Sequence, residues 1–383
     1  MNEDADQVFP PEARRVLLVS TCRIADLLRG AEQQAVLLAS GLKRRGWEVL
    51  MAVPEGTPVQ RAARAADIPC FPLDVRPEFS PFAFWRLHRH ARAFRPAILH
   101  LNDPHAVSMG GYARLFGSAP MVLAHRRMAK TPKSILAYRM GAQGVIAISE
   151  AVRRNIVAAG YPAEQTALAY SCVDPRYLAA TMDRDEARAR LRVPPSAFVF
   201  TMAAAMVRNK NHTTVLNAFR AFQGREDVLL VLVGDGPERP AIEDLSRRAG
   251  LSAQVRFTGT LQGDDLIGAY RASDVFVYAT NREGLGIAAL EAQAMGLPVV
   301  GSRVVGLTEA VCEGRTGLLV EPQDVKGLAE AMERLRLDSD LRRQLGEAGP
   351  AWVRERFSDD AMVRGVLAAY ALFRTRRTRA LPA

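Results

Sequence analysis

Two carboxylates, Glu283 and Glu291, bracket a tight glycine turn and the helical run after it: Asn281-Arg-Glu-Gly-Leu-Gly-Ile-Ala-Ala-Leu-Glu291-Ala-Gln-Ala-Met-Gly-Leu-Pro298. A β-type run at 275–278 precedes the turn, and Gly284 and Gly286 let the backbone swing into a helix reaching about residue 295. A helix N-terminus presents unpaired N–H groups and the positive end of its dipole, a ready site for a diphosphate. Eight residues are a little over two helical turns, so the carboxylates do not share one substrate atom. They suit two contacts, such as hydroxyls at opposite ends of a sugar nucleotide. A second chemical element, Arg208-Asn209-Lys210, follows the β-type run 198–204 and could set cations against phosphate. Histidines His100, His105 and His125 lie at or just beyond the ends of two earlier runs, with no third ligand to suggest a metal.

The Glu283–Glu291 segment resembles the family-4 group of retaining glycosyltransferases, whose fold is GT-B. The hallmark Glu-x7-Glu is present as Glu283-Gly284-Leu285-Gly286 and Glu291-Ala292-Gln293-Ala294-Met295-Gly296-Leu297-Pro298-Val299, with Leu285 in place of the usual Phe. The likeness runs on through Val304-Val305-Gly306-Leu307-Thr308-Glu309 and Gly317-Leu318-Leu319-Val320. It implies that Glu283 meets the donor sugar and Glu291 the nucleotide ribose, while the amides of Gly284, Leu285, Gly286 and Ile287 meet the phosphates. Lys210 matches the family's diphosphate-binding lysine. The arginine expected earlier in that loop falls on Ala205, a departure from the pattern, and Arg208 is close enough to substitute. Gly30, in Arg29-Gly30-Ala31-Glu32, matches the second glycine of a Gly-Gly-x-Glu loop where backbone approaches donor or acceptor. Thr258 and Gly259 fall near the nucleotide base, and His125 falls beside the donor sugar. The resemblance therefore names Glu283, Lys210, Arg208 and His125 as candidate catalytic residues.

These residues need a scaffold that brings strand ends together. Strand-like runs at 15–20, 48–53, 97–101, 121–124 and 144–149 alternate with helical stretches. One such stretch, 32–45, spaces Ala35, Leu38 and Leu42 along a single face before Gly46 stops it. A second set follows at 198–204, 228–233, 255–258, 275–278 and 299–302. Such alternation predicts parallel, doubly wound sheets with ligands at the carboxyl ends of the strands. The fold expected is α/β, two Rossmann-like domains facing a central cleft. Residues 1–13 read as a disordered lead, 14–180 as an acceptor domain and 181–357 as a donor domain. A C-terminal helix within 358–383 would pack back on the first domain. Asp183-Arg184-Asp185 and Asp338-Ser339-Asp340 look like metal-binding DxD strings, but each opens a helical pattern, and capping explains them better.

At 49% hydrophobic and 24% charged, the composition is that of a globular enzyme, without a transmembrane run or a signal peptide. Cys22, Cys70, Cys172 and Cys312 have neither disulfide nor zinc spacing, which fits a cytoplasmic protein. Of the net charge of +10, residues 1–180 carry most, with 23 Lys/Arg against 15 Asp/Glu. That asymmetry suits an anionic partner such as a membrane surface, or simply a solubilising exterior. The combined expectation is transfer of a sugar, with retention, from a UDP- or GDP-sugar to a saccharide or lipid-linked acceptor in cell-envelope or lipopolysaccharide synthesis. Neither a metal nor another cofactor is expected, and no nucleic-acid partner. A sugar-nucleotide epimerase or hydrolase and a non-catalytic sugar-nucleotide-binding protein stand as alternatives.

Overall fold

The computed structural model describes residues 8–21, 30–74, 80–132 and 134–380. Cys22 and Arg29 lie outside them, as do residues 1–7 of the expected lead. The chain divides into two compact units, residues 1–172 with 359–383 and residues 173–358.

Strands buried on both faces need continuous apolar runs rather than alternation, and the first unit supplies them. Its seven strands are β1 (Arg15–Val19), β2 (Glu48–Val53), β3 (Cys70–Pro72), β4 (Ile98–Leu101), β5 (Met121–Arg126), β6 (Gly144–Ala147) and β7 (Thr166–Leu168). They form one parallel sheet in the order β3-β2-β1-β4-β5-β6-β7. On one face the helix Gly30–Arg44 packs with the C-terminal helix Asp359–Ala380 through Leu38, Leu42, Val363, Val366 and Tyr370. Ion pairs Arg44–Asp359 and Arg45–Asp360 join their ends. The opposite face is covered by Leu87, Ala91, Val107, Tyr138 and Ile156 from other helices.

The expected disordered lead is corrected at residues 8–13. Phe9 is buried, with its ring 5.2 Å from that of Trp47 and the Arg374 guanidinium over it at 4.5 Å. Burying one aromatic side chain contributes part of the free energy that ordering this short segment costs.

The second unit holds β8 (Phe198–Ala203), β9 (Val228–Val233), β10 (Val255–Gly259), β11 (Val275–Tyr278), β12 (Val299–Ser302) and β13 (Gly317–Val320). These too are parallel, in the order β10-β9-β8-β11-β12-β13. The unit begins at Val173, earlier than the expected 181, because that segment is bonded into it. The Val173 amide donates to Phe357 O at 2.8 Å, and Tyr177 stacks edge-on against Tyr270. Strands β3, β7 and β13 were not expected from the sequence.

Candidate functional site

In both sheets the strand order reverses beside the first strand, and ligands of doubly wound sheets bind at that point, off the carboxyl ends. In the second unit the reversal lies between β8 and β11. β8 runs into the Arg208–Lys210 turn and β11 into Glu283, so the topology itself brings the lysine to the carboxylate. Lys210 and Glu283 form a half-buried ion pair. Tyr278, the last residue of β11, sits between them: Lys210 Nζ donates to its hydroxyl at 2.6 Å, and that hydroxyl donates to Glu283 Oε1 at 2.7 Å. Burial and the facing carboxylate raise the Tyr278 phenol well above its ordinary range, so it stays a donor. The two loops are also stitched through backbone. Asn281 N and the Thr280 hydroxyl both donate to Asn209 O, and Asn209 Nδ2 donates to Arg282 O.

Behind Glu283, Gly306 adopts φ +94°, and a Cβ there would lie 2.6 Å from the Glu283 carbonyl. Only glycine lets this segment support the turn so closely. Of the turn's own glycines, Gly286 takes φ +86°, whereas Gly284 is outside the left-handed region. Gly286 leads directly into the helix Ile287–Ala294, whose start no side chain caps. First-turn N–H groups of a helix have no intrahelical acceptor, so this end can receive an anion. Leu285, at the usual Phe position, is buried.

Glu291 belongs to a separate network, as the eight-residue spacing suggested. Tyr270 donates to Glu291 Oε2 at 3.0 Å, and Tyr177 stacks on Tyr270. Burial lifts the Glu291 carboxyl to about 7, against the pull of the Tyr270 hydrogen bond. Thr258 and Gly259 close β10, where Gly259 O accepts from Gly234 N at 2.8 Å. Ala205 and Arg208 are exposed, and Arg208 makes no side-chain hydrogen bond or ion pair among the described residues. Gly30 opens the helix Gly30–Arg44 in the first unit, with nothing near enough to clash with an added Cβ.

In that first unit His100 on β4 is level with Leu123 on β5, and His125 lies two residues further along. Both imidazoles therefore lie on one face of the sheet, with His100 Nε2 and His125 Nδ1 3.1 Å apart. His105, by contrast, is exposed on the first turn of the helix Pro104–Leu115. Asp183 and Asp338 cap helices, accepting from Glu186 N and Leu341 N respectively. Among the described residues no three His, Cys, Asp or Glu side chains form a metal-binding group.

Sequence reasoning missed Tyr278 and Tyr270. A tyrosine ending a buried strand five residues before Glu283 was the available signal for the first. For Tyr270, partnered across 21 positions, no local pattern existed.

Two parallel Rossmann-like sheets, one carrying a lysine–carboxylate pair beside an open helix N-terminus, define a GT-B glycosyltransferase architecture. Residues 28–177 match the model for Glycosyltransferase Family 4, and residues 183–352 match that for Glycosyl transferases group 1. The chain belongs to the family-4 glycosyltransferases, enzymes that move a sugar from a nucleotide-activated donor to an acceptor. It is 29% identical over 340 residues to the lipopolysaccharide core biosynthesis glycosyltransferase LpsD of Rhizobium meliloti (strain 1021), across 88% of this chain and 94% of that one. A shorter match, 36% over 174 residues, joins 43% of this chain to 41% of the D-inositol 3-phosphate glycosyltransferase of Corynebacterium urealyticum. The fold is similar to that of Anabaena Alr3699/HepE in complex with UDP, with TM-score 0.80 at 20% identity over 96% of this chain and all of that one.

Proposed function

We propose that this enzyme transfers a sugar, with retention of anomeric configuration and without a metal, from a UDP- or GDP-sugar to a lipid-linked saccharide at the cytoplasmic membrane face. The observation that carries the reading is the Lys210–Tyr278–Glu283 cluster at the reversal point of the second sheet, beside the N-terminus of Ile287–Ala294. A departing nucleoside diphosphate develops negative charge, and preoriented cations and amides can stabilise it. Lys210 and the amides of Gly284–Ile287 would supply these. Glu283 would orient the sugar, and Glu291 would take the ribose.

The membrane part of the reading is supported by charge and apolar exposure together. Residues 80–160 contain twelve Lys/Arg and two Asp/Glu. Both acids are already engaged, Asp103 in capping its helix and Glu150 with Arg153 and Arg154. From the same region Phe82, Trp85, Leu115 and Leu136 stand exposed. A basic, apolar face of this kind suits an anionic bilayer. No helix among the described residues is long and apolar enough to cross a membrane. LpsD, named for lipopolysaccharide core biosynthesis, is consistent with such an acceptor.

The test incubates the protein with radiolabelled UDP- and GDP-sugars, with and without membrane extract and EDTA. Label should enter a lipid-extractable product in EDTA, and NMR should show the donor's anomeric configuration preserved. Release of free sugar alone would instead identify a hydrolase or epimerase. A nucleoside diphosphate at a hundredfold excess over its Kd should also stabilise the fold by about 2.7 kcal/mol.

A further inference from the structure

In the first unit the helices Pro104–Leu115 and Ile135–Gly141 pack against each other through glycine. A Cβ on Gly110 would collide with the Gly141 carbonyl oxygen, and one on Gly141 with that of Val107, so close packing explains both residues. Gly111 has no such cause. The nearest atom to a Cβ built there is Met140 O at 3.9 Å, and a glycine inside a helix weakens it. The side chain missing at Gly111 instead opens a groove. It belongs to a cavity of 1290 Å³, bordered at four-residue spacing by Val107, Gly111 and Leu115 from one helix and by Leu136 and Met140 from the other. Ordinary small-ligand sites hold roughly 300–1,000 Å³.

The groove is apolar along its walls and basic at its rim. Leu115, Leu136 and Met140 are 78%, 61% and 60% exposed, and apolar residues bared side by side mark an interaction surface. Among the described residues no carboxylate lines the cavity, whereas Arg114, Arg139 and Arg377 do. Arg114 Nη1 donates to Arg139 O at 2.9 Å and to Met140 O at 2.8 Å, and Arg139 Nη2 donates to Gly160 O at 2.6 Å. These carbonyls hold the guanidiniums in place without neutralising them. Arg377, near the end of the C-terminal helix, is exposed and makes no side-chain hydrogen bond or ion pair among the described residues. Phe84 links the groove to the exposed rings of Phe82 and Trp85 on its own helix, Pro81–Phe94, because its ring lies 5.3 Å from that of Tyr112, which also lines the cavity.

An occupant that suits these walls and this rim is long and apolar at one end and anionic at the other. We infer that the groove seats an acyl chain of a single anionic membrane lipid, with the lipid phosphate against the arginines. A guanidinium can bond a phosphate bidentately, and the seated methylenes take apolar wall out of water. All the lining residues belong to the first unit. Adsorption of a basic, apolar face to a bilayer needs no groove, so this site goes beyond the membrane contact proposed above. The choice of a membrane lipid over another anionic amphiphile rests on that proposal, whereas the chemistry of the groove does not.

The test titrates the full chain, labelled at its methionine methyls, with dihexanoyl phosphatidylglycerol below its micelle concentration, so that no bilayer is present. The Met140 methyl should shift saturably in NMR spectra and show cross-relaxation with the acyl protons. Dihexanoyl phosphatidylcholine should bind about tenfold more weakly, and Arg377→Gln should narrow that preference. Gly111→Leu fills the groove with a better helix former, so the melting temperature should hold or rise. The variant should nonetheless lose the Met140 response, while its adsorption to phosphatidylglycerol vesicles stays within about twofold of the native protein's. No saturable shift, an undiminished shift in Gly111→Leu, or equal binding of the two lipids overturns the inference. So does tighter binding of an acidic amphipathic peptide, which would assign the groove to a protein partner. Saturable lipid binding by a protein that ignores vesicles keeps the groove and removes the membrane reading, and vesicle adsorption without the Met140 shift does the reverse.

Discussion

Tyr278 donates its hydroxyl hydrogen to Glu283 Oε1 across 2.7 Å, and with its lone pair it accepts from Lys210. The groups assigned to the sugar and to the diphosphate thus hold one another both directly and through a phenol. Neither charge is left bare in a half-buried site, which would be costly. A diphosphate must draw Lys210 partly away, and Tyr278 keeps Glu283 aimed while it does so.

Tyr278→Phe should therefore lower kcat by roughly tenfold, the worth of one hydrogen bond to a charged group. KM for the donor should change less, because Lys210 and the helix amides still meet the phosphates. Steady-state kinetics with a varied donor concentration separates the two. An unchanged kcat would mean that the phenol merely fills space.

Glu291 carries a pH signature. Its carboxyl, at 4.5 in the open chain, is raised by burial to about 7 in the fold, with Asp174 raising it further and Tyr270 and Arg176 opposing. Folding thus favours the protonated form. The associated stability is complete below about pH 4.5 and is lost as pH rises through about 7, a difference on the order of 3 kcal/mol. Glu291→Gln should flatten the decline in melting temperature over that window. Ribose hydroxyls donate best to an ionised carboxylate, so nucleotide affinity should move oppositely and strengthen toward pH 8. Calorimetry in buffers of different ionisation enthalpy should detect a proton released on binding.

Vesicle sedimentation checks the membrane face. Binding should need anionic lipid, weaken steeply with salt, and fall about tenfold when Phe82 and Trp85 are both changed to Ser. Those two rings stack at 6.1 Å on the surface of the helix Pro81–Phe94, so their loss should leave the melting temperature unmoved. Equal partitioning onto neutral vesicles would assign a soluble acceptor.

Most of this scaffold was legible because its strands are buried on both sides. The run 228–233, Val-Leu-Leu-Val-Leu-Val, is short, continuous and β-branched in part, as a strand buried on both faces requires. The Glu283–Glu291 segment was equally plain, since carboxylates around a glycine turn carry their own chemistry. What stayed hidden depends on distant partners. Phe9 looked unstructured among acids and prolines because its burial comes from Trp47 and Arg374. Tyr370 reads as one more apolar position on a helix, and only the folded sheet sets its hydroxyl against His100. Tyr278 reads as a strand residue until β8 and β11 lie side by side.

Arg208 supplies the sharpest remaining test. The family's arginine is missing at Ala205, and one ammonium is a weak clamp on a diphosphate compared with a guanidinium that can bond bidentately. Lys210 is moreover already shared with Glu283 and Tyr278. Arg208 starts the same 3-10 turn that ends in Lys210, and its guanidinium is exposed and makes no bond among the described residues. A side chain with no structural duty can be removed without disturbing the fold, so Arg208→Ala should leave the melting temperature unchanged. If the guanidinium swings onto the leaving phosphate, the same variant should lose about 10²-fold in kcat, roughly 2.7 kcal/mol of transition-state stabilisation. Adding Ala205→Arg to that variant should restore part of the rate, because position 205 is exposed on the same loop. Lys210→Ala makes the contrasting control, since it breaks the ion pair with Glu283 and should shift both melting temperature and rate. A kinetically silent Arg208→Ala in an active enzyme would show that Lys210 and the helix amides hold the diphosphate without it.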